Sequence, residues 1–181
     1  MGGDLPPVRF ESLGAGHNCS GFACTNREIT EWVRRNAHKQ HNGGSVRVTC
    51  AIPENSSRPI GIYALATVAE DVRNLPGVYH RFRATDYFSA LQLVWLATDK
   101  GFTGCGLGKM MVGQVIVKFA DIGSQIGIPH LILSPAEQAK DRLTKFYGDL
   151  GFVPYNDGES MFLSLQEAKD AVGKMRSAAG F

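Results

Sequence analysis

The stretch Thr103-Gly104-Cys105-Gly106-Leu107-Gly108-Lys109 lies between an apolar run and a helical pattern. Residues 91–98 read LQLVWLAT and are almost wholly apolar, which predicts a buried strand. From Leu107 onward, apolar residues recur at helical spacing. A glycine-rich turn that opens a helix directs several backbone N–H groups toward one point, at the positive end of the helix dipole. The stretch therefore predicts a site for the phosphate or pyrophosphate of a cofactor.

Two common phosphate-binding loops do not fit this spacing. A P-loop requires a glycine where Thr103 stands and a serine or threonine where Met110 stands. A dinucleotide fingerprint, G-x-G-x-x-G, fails because Lys109 occupies the position of its third glycine. A plain corner between a strand and a helix is the simplest alternative, but three alternating glycines exceed what a corner needs.

The glycine stretch resembles motif A of the GCN5-related N-acetyltransferases (GNAT), Q/R-x-x-G-x-G/A. Gly106 and Gly108 match its small positions, and Thr103 stands at its first position. The resemblance implies an α/β fold with a mixed, mostly antiparallel central sheet, flanking helices and splayed central strands that hold acetyl-coenzyme A. It implies cofactor contacts from Leu96, Ala97, Thr98, Thr103, Gly104, Cys105, Gly106, Leu107, Gly108, Lys109 and Phe146.

A second motif follows at the distance expected for this family. Residues 128–133 are predicted to form a strand, and 136–150 a helix that ends at Gly151. The segment KFYGDLGF, residues 145–152, resembles the family's F-Y-x-x-x-G-F pattern. By this resemblance Tyr147 is the general acid that protonates the departing coenzyme A thiolate. Without the resemblance, a core aromatic with a satisfied hydroxyl is the favoured interpretation of Tyr147.

The amino-terminal half is similar to the GNAT toxins of bacterial toxin–antitoxin pairs. A helix near residues 28–37, a strand near Arg47 and the strand GIYALA at 61–66 follow the layout of those toxins. The resemblance implies acetylation of the amine of aminoacyl-tRNA, a homodimer and a neighbouring antitoxin protein. Trp95 stands where the toxins usually carry arginine, which places it among the candidate acceptor-binding residues.

Basic residues are concentrated between Arg27 and Arg47. The segment 25–40 is predicted to be one amphipathic helix with Asn26 or Thr25 as its N-cap. Its basic residues could form a tRNA contact or could be a solvated face whose cations favour the helix C-terminus. The candidate tRNA contacts on this helix are Arg34, Arg35 and Lys39.

The acceptor amine must be neutral to attack the thioester. The α-amine of an aminoacyl ester is unusually acidic and needs little help from a base, whereas a lysine side chain needs more. Glu70, Asp71 and Asp86 lie in a long stretch, 70–89, that is predicted to be a functional loop, but solvation is the favoured interpretation of each. Three hypotheses remain: a tRNA acetyltransferase, an acetyltransferase acting on a protein or a small amine, and a non-enzymatic module that retains the cofactor loop.

Length and composition predict one domain over residues 1–181, with the ends near 1–20 and 176–181 flexible. No apolar run reaches membrane-spanning length, and the sequence MGGDLPPVRF does not resemble a secretory signal, so we expect a cytoplasmic protein. The cysteines lack the pattern of a disulfide scaffold. His17, Cys19 and Cys24 are close in sequence, but they contain no C-x-x-C pair, and we expect no metal.

Overall fold

The structure is a computed structural model that describes residues 4–75 and 86–178. The strands of this part of the chain are β1 (Val8–Ser12), β2 (Arg47–Pro53), β3 (Gly61–Asp71), β4 (Tyr87–Thr98), β5 (His130–Leu133), β6 (Val153–Tyr155) and β7 (Ser160–Ser164). The helices are α1 (Arg27–Arg35), α2 (Ala37–Asn42), α3 (Leu107–Ile126), α4 (Lys140–Gly148) and α5 (Leu165–Ala178).

The strands form one hydrogen-bonded sheet in the order β1-β2-β3-β4-β5-β7-β6. β1 runs antiparallel to β2, β2 to β3, β5 to β7 and β6 to β7, whereas β4 and β5 are parallel. The parallel pairing joins residues 90–92 to residues 130–132, and β4 continues beyond it to Thr98. The predicted α/β class with a mixed, mostly antiparallel sheet is therefore confirmed, whereas the splaying of the central strands stays a prediction.

The chain divides into two compact units, and the first contains Met1–Ala66 with Leu93–Gln114. Its core packs one face of α1 and α2 against residues of β2, β3 and β4. The apolar residues at helical spacing in the segment 25–40, which was predicted to be amphipathic, are all buried in this core: Ile29, Trp32, Val33 and Ala37.

The second unit contains Thr67–Gln92 with Val115–Phe181. A small apolar cluster in it joins the start of β4 to β5, β6 and β7, through Leu75, Ala90, Ile132, Tyr155 and Phe162. The prediction of a single domain over 1–181 stays a prediction.

The prediction of one continuous helix over 25–40 is wrong. It is two helices, α1 and α2, separated at Asn36, where φ is −118° and ψ is −24°. Asparagine has a low helix propensity, and Asn36 lies between the apolar face of α1 and that of α2, so the helix can break there. The predicted N-cap is confirmed, because the Asn26 side chain accepts a hydrogen bond from the Ile29 amide at 3.1 Å.

Two other predicted boundaries also differ. The helix expected over 136–150 is a 3₁₀ turn, Glu137–Ala139, followed by the shorter α4. The loop expected over 70–89 is shorter than predicted at both ends, because β3 runs to Asp71 and β4 begins at Tyr87. A 3₁₀ turn occupies Val72–Asn74, and residues 76–85 lie outside the described residues. Within the described ranges, none of the helices combines the length and apolarity needed to cross a membrane.

Candidate active site

The glycine stretch forms a loop that leads directly into α3. Gly104 and Gly106 have φ values of +83° and +87°, in the left-handed region where residues other than glycine are strained. A Cβ atom added at either position would meet nothing within 4 Å. Glycine is therefore favoured at these positions by the backbone conformation and not by crowding. The space beside the loop is open, so a ligand can approach the main chain.

The end of this loop presents unused hydrogen-bond donors. The amide of Met110 donates to the carbonyl oxygen of Gly106 at 3.1 Å and begins the helical pattern. Within residues 4–75 and 86–178, the amides of residues 106–109 donate no hydrogen bond. The first turn of α3 carries no acidic side chain, so the positive end of its dipole is not neutralised there. Such a helix start is suited to an anion.

The start of α3 is held close to β3. Leu107 and Met111 are fully buried. A Cβ atom at Gly61 would lie 2.9 Å from the Met111 sulfur and 3.0 Å from Leu107 Cδ2. A larger residue at the start of β3 would therefore force the Met111 and Leu107 side chains to shift. The sequence carries this signal only as a glycine at the start of an apolar strand.

Asp99 lies between β4 and the loop, and sequence reasoning did not assign it a role. Its carboxylate is nearly buried and accepts hydrogen bonds from the amides of Ala23 and Gly101, both at 3.1 Å. Arg58 Nη2 donates to the same carboxylate at 3.1 Å. The one local signal for this arrangement is an aspartate two residues before a glycine at the end of a strand, a pattern typical of a side-chain-capped turn.

The strand residues predicted to orient the acetyl group lie at the end of β4. Leu96–Thr98 lies beyond the pairing of β4 with β5, and Ala97 is buried while its two neighbours are half-buried. Trp95 is half-buried and packs against Trp32 of α1, with ring centroids 5.8 Å apart. The tryptophan that replaces arginine is therefore part of an aromatic contact between α1 and the sheet.

The second motif forms a capped helix end. The Phe152 amide donates to the Tyr147 carbonyl oxygen at 3.1 Å, and the Gly151 amide donates to the Gly148 carbonyl oxygen at 3.0 Å. Gly151 has a φ of +97°, so the pair of bonds is a Schellman motif with glycine in its left-handed position. The helix end predicted at Gly151 is confirmed, and the motif's glycine and second phenylalanine hold the backbone of its tyrosine.

Tyr147 is enclosed by the other aromatic residues of the motif. Its ring centroid lies 5.1 Å from that of Phe146 and 5.7 Å from that of Phe152, both in edge-to-face geometry. The Tyr147 side chain is 6% exposed, and burial raises the pKa of its hydroxyl to about 12. The hydroxyl is therefore protonated at neutral pH and is able to donate a hydrogen bond or a proton.

The candidate tRNA contacts lie on α1 and α2. Arg34, Arg35 and Lys39 are all exposed. Arg34 Nε donates to the carbonyl oxygen of Phe22 at 2.6 Å, so this guanidinium is partly fixed to the protein backbone. Arg35 belongs to the last turn of α1 and Lys39 to the last turn of α2, where cations also favour the helix dipole.

The histidine and cysteines considered for zinc are His17, Cys19 and Cys24, and two of them have other partners. His17 Nε2 lies 3.0 Å from a Glu11 carboxylate oxygen, and the Cys24 thiol donates to the Asn26 carbonyl oxygen at 3.1 Å. Cys19 is buried. Among the residues that the structure describes, no three His, Cys, Asp or Glu side chains are grouped so that they could hold a metal ion.

Comparison with known proteins relates this geometry to one group of toxins. No protein-family model matches the chain. The chain is 23% identical over 163 residues to the probable toxin TacT of Sinorhizobium fredii (strain NBRC 101917 / NGR234), which covers 87% of this chain and 90% of TacT. A tyrosine-to-phenylalanine mutant of KacT matches with a TM-score of 0.82 and 21% identity, over 90% of this chain and 98% of KacT.

Two structures of the toxin AtaT match as well. AtaT complexed with acetyl-methionyl-tRNAfMet matches with a TM-score of 0.82 and 18% identity, over 92% of this chain and 99% of AtaT. A tyrosine-to-phenylalanine mutant of AtaT, bound to the C-terminus of the antitoxin AtaR and to acetyl-coenzyme A, matches with a TM-score of 0.76 and 18% identity, over 91% of this chain and 98% of AtaT.

The chain has the fold of the GNAT toxins. The similarity covers nearly the whole of each matched protein and about nine tenths of this chain. The predicted resemblance to GNAT toxins is therefore confirmed, on grounds independent of the two short motifs.

Proposed function

We propose that this protein is an N-acetyltransferase that uses acetyl-coenzyme A to acetylate the α-amine of aminoacyl-tRNA and thereby blocks translation. The observation that carries the proposal is the loop before α3. Gly104 and Gly106 turn through left-handed conformations, and the amides of residues 106–109 are left without an acceptor among the described residues. This is the geometry that a pyrophosphate requires.

Acetyl-coenzyme A fits the residues of this loop and of the strand before it. The pyrophosphate would accept hydrogen bonds from the amides of residues 105–108, and the exposed Lys109 would add positive charge. The amides of Leu96–Thr98 would orient the acetyl group and polarise its carbonyl. Phe146, which packs beside Tyr147, is the remaining proposed cofactor contact. AtaT bound to acetyl-coenzyme A supports this choice of donor.

The reaction is a direct transfer. The neutral amine of the acceptor attacks the thioester carbonyl, a C–N bond forms, and the C–S bond breaks. Tyr147 gives its proton to the departing thiolate, and the amine loses a proton to solvent. The Tyr147 hydroxyl holds its proton at neutral pH, so it has a proton to give, although burial, which raises its pKa to about 12, makes it a weaker acid than an exposed tyrosine.

An aminoacyl-tRNA is the acceptor that best suits the chain. The amine of an aminoacyl ester is acidic enough to be neutral without a dedicated base. Exposed cations at Arg34, Arg35 and Lys39 would contact phosphates of the tRNA, and Trp95 would lie near the aminoacyl group. The complex of AtaT with acetyl-methionyl-tRNAfMet supports the same acceptor class.

The remaining partners follow from the same proposal. A translation-blocking enzyme acts in the cytoplasm and needs an antitoxin that neutralises it, and AtaT bound to the C-terminus of AtaR supports a partner of this kind. We also propose that the protein works as a homodimer, which light scattering of the purified protein would test.

The test is to incubate the protein with radiolabelled acetyl-coenzyme A, total charged tRNA, deacylated tRNA, cell proteins and polyamines in parallel reactions. Label released from charged tRNA as an N-acetyl amino acid supports the proposal and identifies the amino acid. Label in protein or polyamine alone leaves an acetyltransferase with a different acceptor. An absence of transfer in every reaction overturns the enzymatic assignment.

Tyr147→Phe tests the acid directly, because it removes the hydroxyl and keeps the ring. We expect kcat to fall roughly 100-fold, within the range that a general acid contributes. Tyr155→Phe is the matched control, since Tyr155 is equally buried and burial also raises its pKa to about 12. Equal rates for wild type and Tyr147→Phe would remove Tyr147 from the mechanism.

A further inference from the structure

The carboxylate of Asp99 is surrounded by donors rather than by water. Its side chain is 7% exposed, and Oδ2 accepts from both the Ala23 amide and Arg58 Nη2. Oδ1 accepts from the Gly101 amide. Burial raises the pKa of this carboxyl, but the hydrogen bonds from Ala23, Gly101 and Arg58 outweigh burial and lower it. Asp99 is therefore an ionised acceptor at neutral pH.

The backbone around Asp99 is fixed by the same segments. Its amide donates to the Ile60 carbonyl oxygen at 2.8 Å, and the Lys100 amide donates to the Ala23 carbonyl oxygen at 2.7 Å. Side chain and main chain thus attach the end of β4 to two segments that are distant in sequence. Asp99, which follows the last residue of β4, is therefore held by both its side chain and its main chain.

This attachment continues into the glycine loop. Asp99 caps the 3₁₀ turn Lys100–Phe102 through the Gly101 amide. The Phe102 carbonyl oxygen then accepts a hydrogen bond from the Cys105 thiol at 2.8 Å. Gly106, whose left-handed conformation begins the row of unused amides, follows directly. Two hydrogen bonds, joined through the backbone of residues 101–102, therefore link the Asp99 carboxylate to Cys105, the residue before Gly106.

We infer that Asp99 is a positioning residue for acetyl transfer, one that fixes the glycine loop in the conformation that receives the pyrophosphate of acetyl-coenzyme A. This inference rests on the proposed function. Asp99 would act through the turn Lys100–Phe102, which its side chain caps. The Arg58 side chain is half-exposed, so its ion pair contributes less than the two amides do.

Asp99→Asn tests the inference. The asparagine side chain is similar in size, but it has one oxygen that can accept hydrogen bonds, whereas the site supplies donors to both oxygens of the aspartate. The assay measures initial rates with the acceptor that takes the label in the experiment above. It uses two donors, acetyl-coenzyme A and S-acetyl-pantetheine, and the latter lacks the pyrophosphate. A residue with a merely structural role affects both donors equally, whereas a loop-positioning residue affects only the first.

We expect Asp99→Asn to raise the KM for acetyl-coenzyme A about tenfold, the size expected from losing a hydrogen bond to a charged group. The kcat at saturation and the kcat/KM for S-acetyl-pantetheine should stay within about twofold of wild type, because the pantetheine arm does not use the loop. Arg58→Met, which keeps both amide bonds to Asp99, should raise the KM for acetyl-coenzyme A only about twofold to threefold.

Ile52→Val is the control for general destabilisation, since Ile52 is fully buried in the same unit and lies outside the loop. It should lower Tm while leaving the ratio of kcat/KM values for the two donors unchanged. If Asp99→Asn lowers kcat/KM equally for both donors, or lowers it for neither, the inference is overturned. If that variant does not fold, an unchanged KM in Arg58→Met overturns it. A wild-type protein that transfers from S-acetyl-pantetheine as well as from acetyl-coenzyme A overturns the proposed use of the loop itself.

Discussion

The indole rings of Trp32 and Trp95 lie 5.8 Å apart between centroids and are tilted by 40°. Trp32 is anchored further, because its Nε1 donates to the Gln40 side-chain oxygen at 3.1 Å. The aromatic pair thus joins α1 to β4, and the hydrogen bond joins α1 to α2. The tryptophan that departs from the usual toxin sequence at position 95 has a packing role that arginine would fill differently.

Trp95→Ala should reduce the free energy of unfolding by about 2 kcal/mol, less than for a fully buried aromatic because Trp95 is half-buried. Urea denaturation followed by circular dichroism measures the change. Trp95→Phe keeps an aromatic ring against Trp32 and should lose less than half as much. An unchanged midpoint in Trp95→Ala would show that the aromatic contact carries no stability.

The sequence was sufficient wherever one segment carries its own signal. The apolar run 91–98, the glycine stretch and the helical spacing from Leu107 predicted β4, the turn before α3 and α3 itself, because each depends on neighbours along the chain. The FY and GF pairs likewise predicted a glycine-capped helix end, which requires only residues 147–152.

The remaining features depend on partners far away in sequence. The Asp99 carboxylate accepts a hydrogen bond from the amide of Ala23, 76 positions earlier, and the close contacts at Gly61 come from side chains of α3. β6 was missed because it has only three residues and two of them are exposed, which leaves no alternating pattern. Single-sequence periodicity contains no information about such pairings.

Two glycines of α3 should respond oppositely to alanine. A Cβ atom at Gly123 would lie 2.8 Å from the Ile128 carbonyl oxygen and 2.9 Å from Leu165 Cδ1, whereas at Gly113 it would meet nothing within 4 Å. Gly113→Ala should stabilise the protein by up to about 1 kcal/mol through helix propensity. Gly123→Ala should destabilise it by roughly 1–2 kcal/mol through overpacking. Thermal unfolding of both variants checks this, and a shift of the same sign in both would contradict the close approach at Gly123.

Gly106→Ala should weaken the binding of acetyl-coenzyme A about tenfold, because a left-handed alanine costs roughly 1–2 kcal/mol and the loop relaxes away from it. Isothermal titration with acetyl-coenzyme A measures the effect. Gly44→Ala is the control, since Gly44 has a φ of +79° and equally open surroundings but lies between α2 and β2. Gly44→Ala should lose similar stability and retain wild-type affinity. Equal affinity in both variants would argue against the loop as the pyrophosphate site.

His130 is a buried histidine among aromatic rings. It lies on β5 and is 7% exposed, with ring centroids 4.9 Å from Phe88 and 5.5 Å from Phe162. Burial lowers the pKa of His130 from 6.5 to about 4, and the carboxylate of Glu167 offsets only part of that effect. The folded protein therefore holds this imidazole neutral at a pH where the unfolded chain would protonate it.

The low pKa of His130 predicts a loss of stability in mild acid. Above pH 6.5 both the folded and the unfolded chain hold a neutral imidazole, and the full stability is present. As pH falls from 6.5 toward 4, only the unfolded chain takes up the proton, so the free energy of unfolding should decrease by about 3 kcal/mol in total and then level off. Urea denaturation at a series of pH values measures the slope. His130→Leu has no proton to bind, so the difference in unfolding free energy between it and wild type should change by this amount across the same window. A difference that is independent of pH would mean that the folded protein protonates His130 as readily as the unfolded chain does.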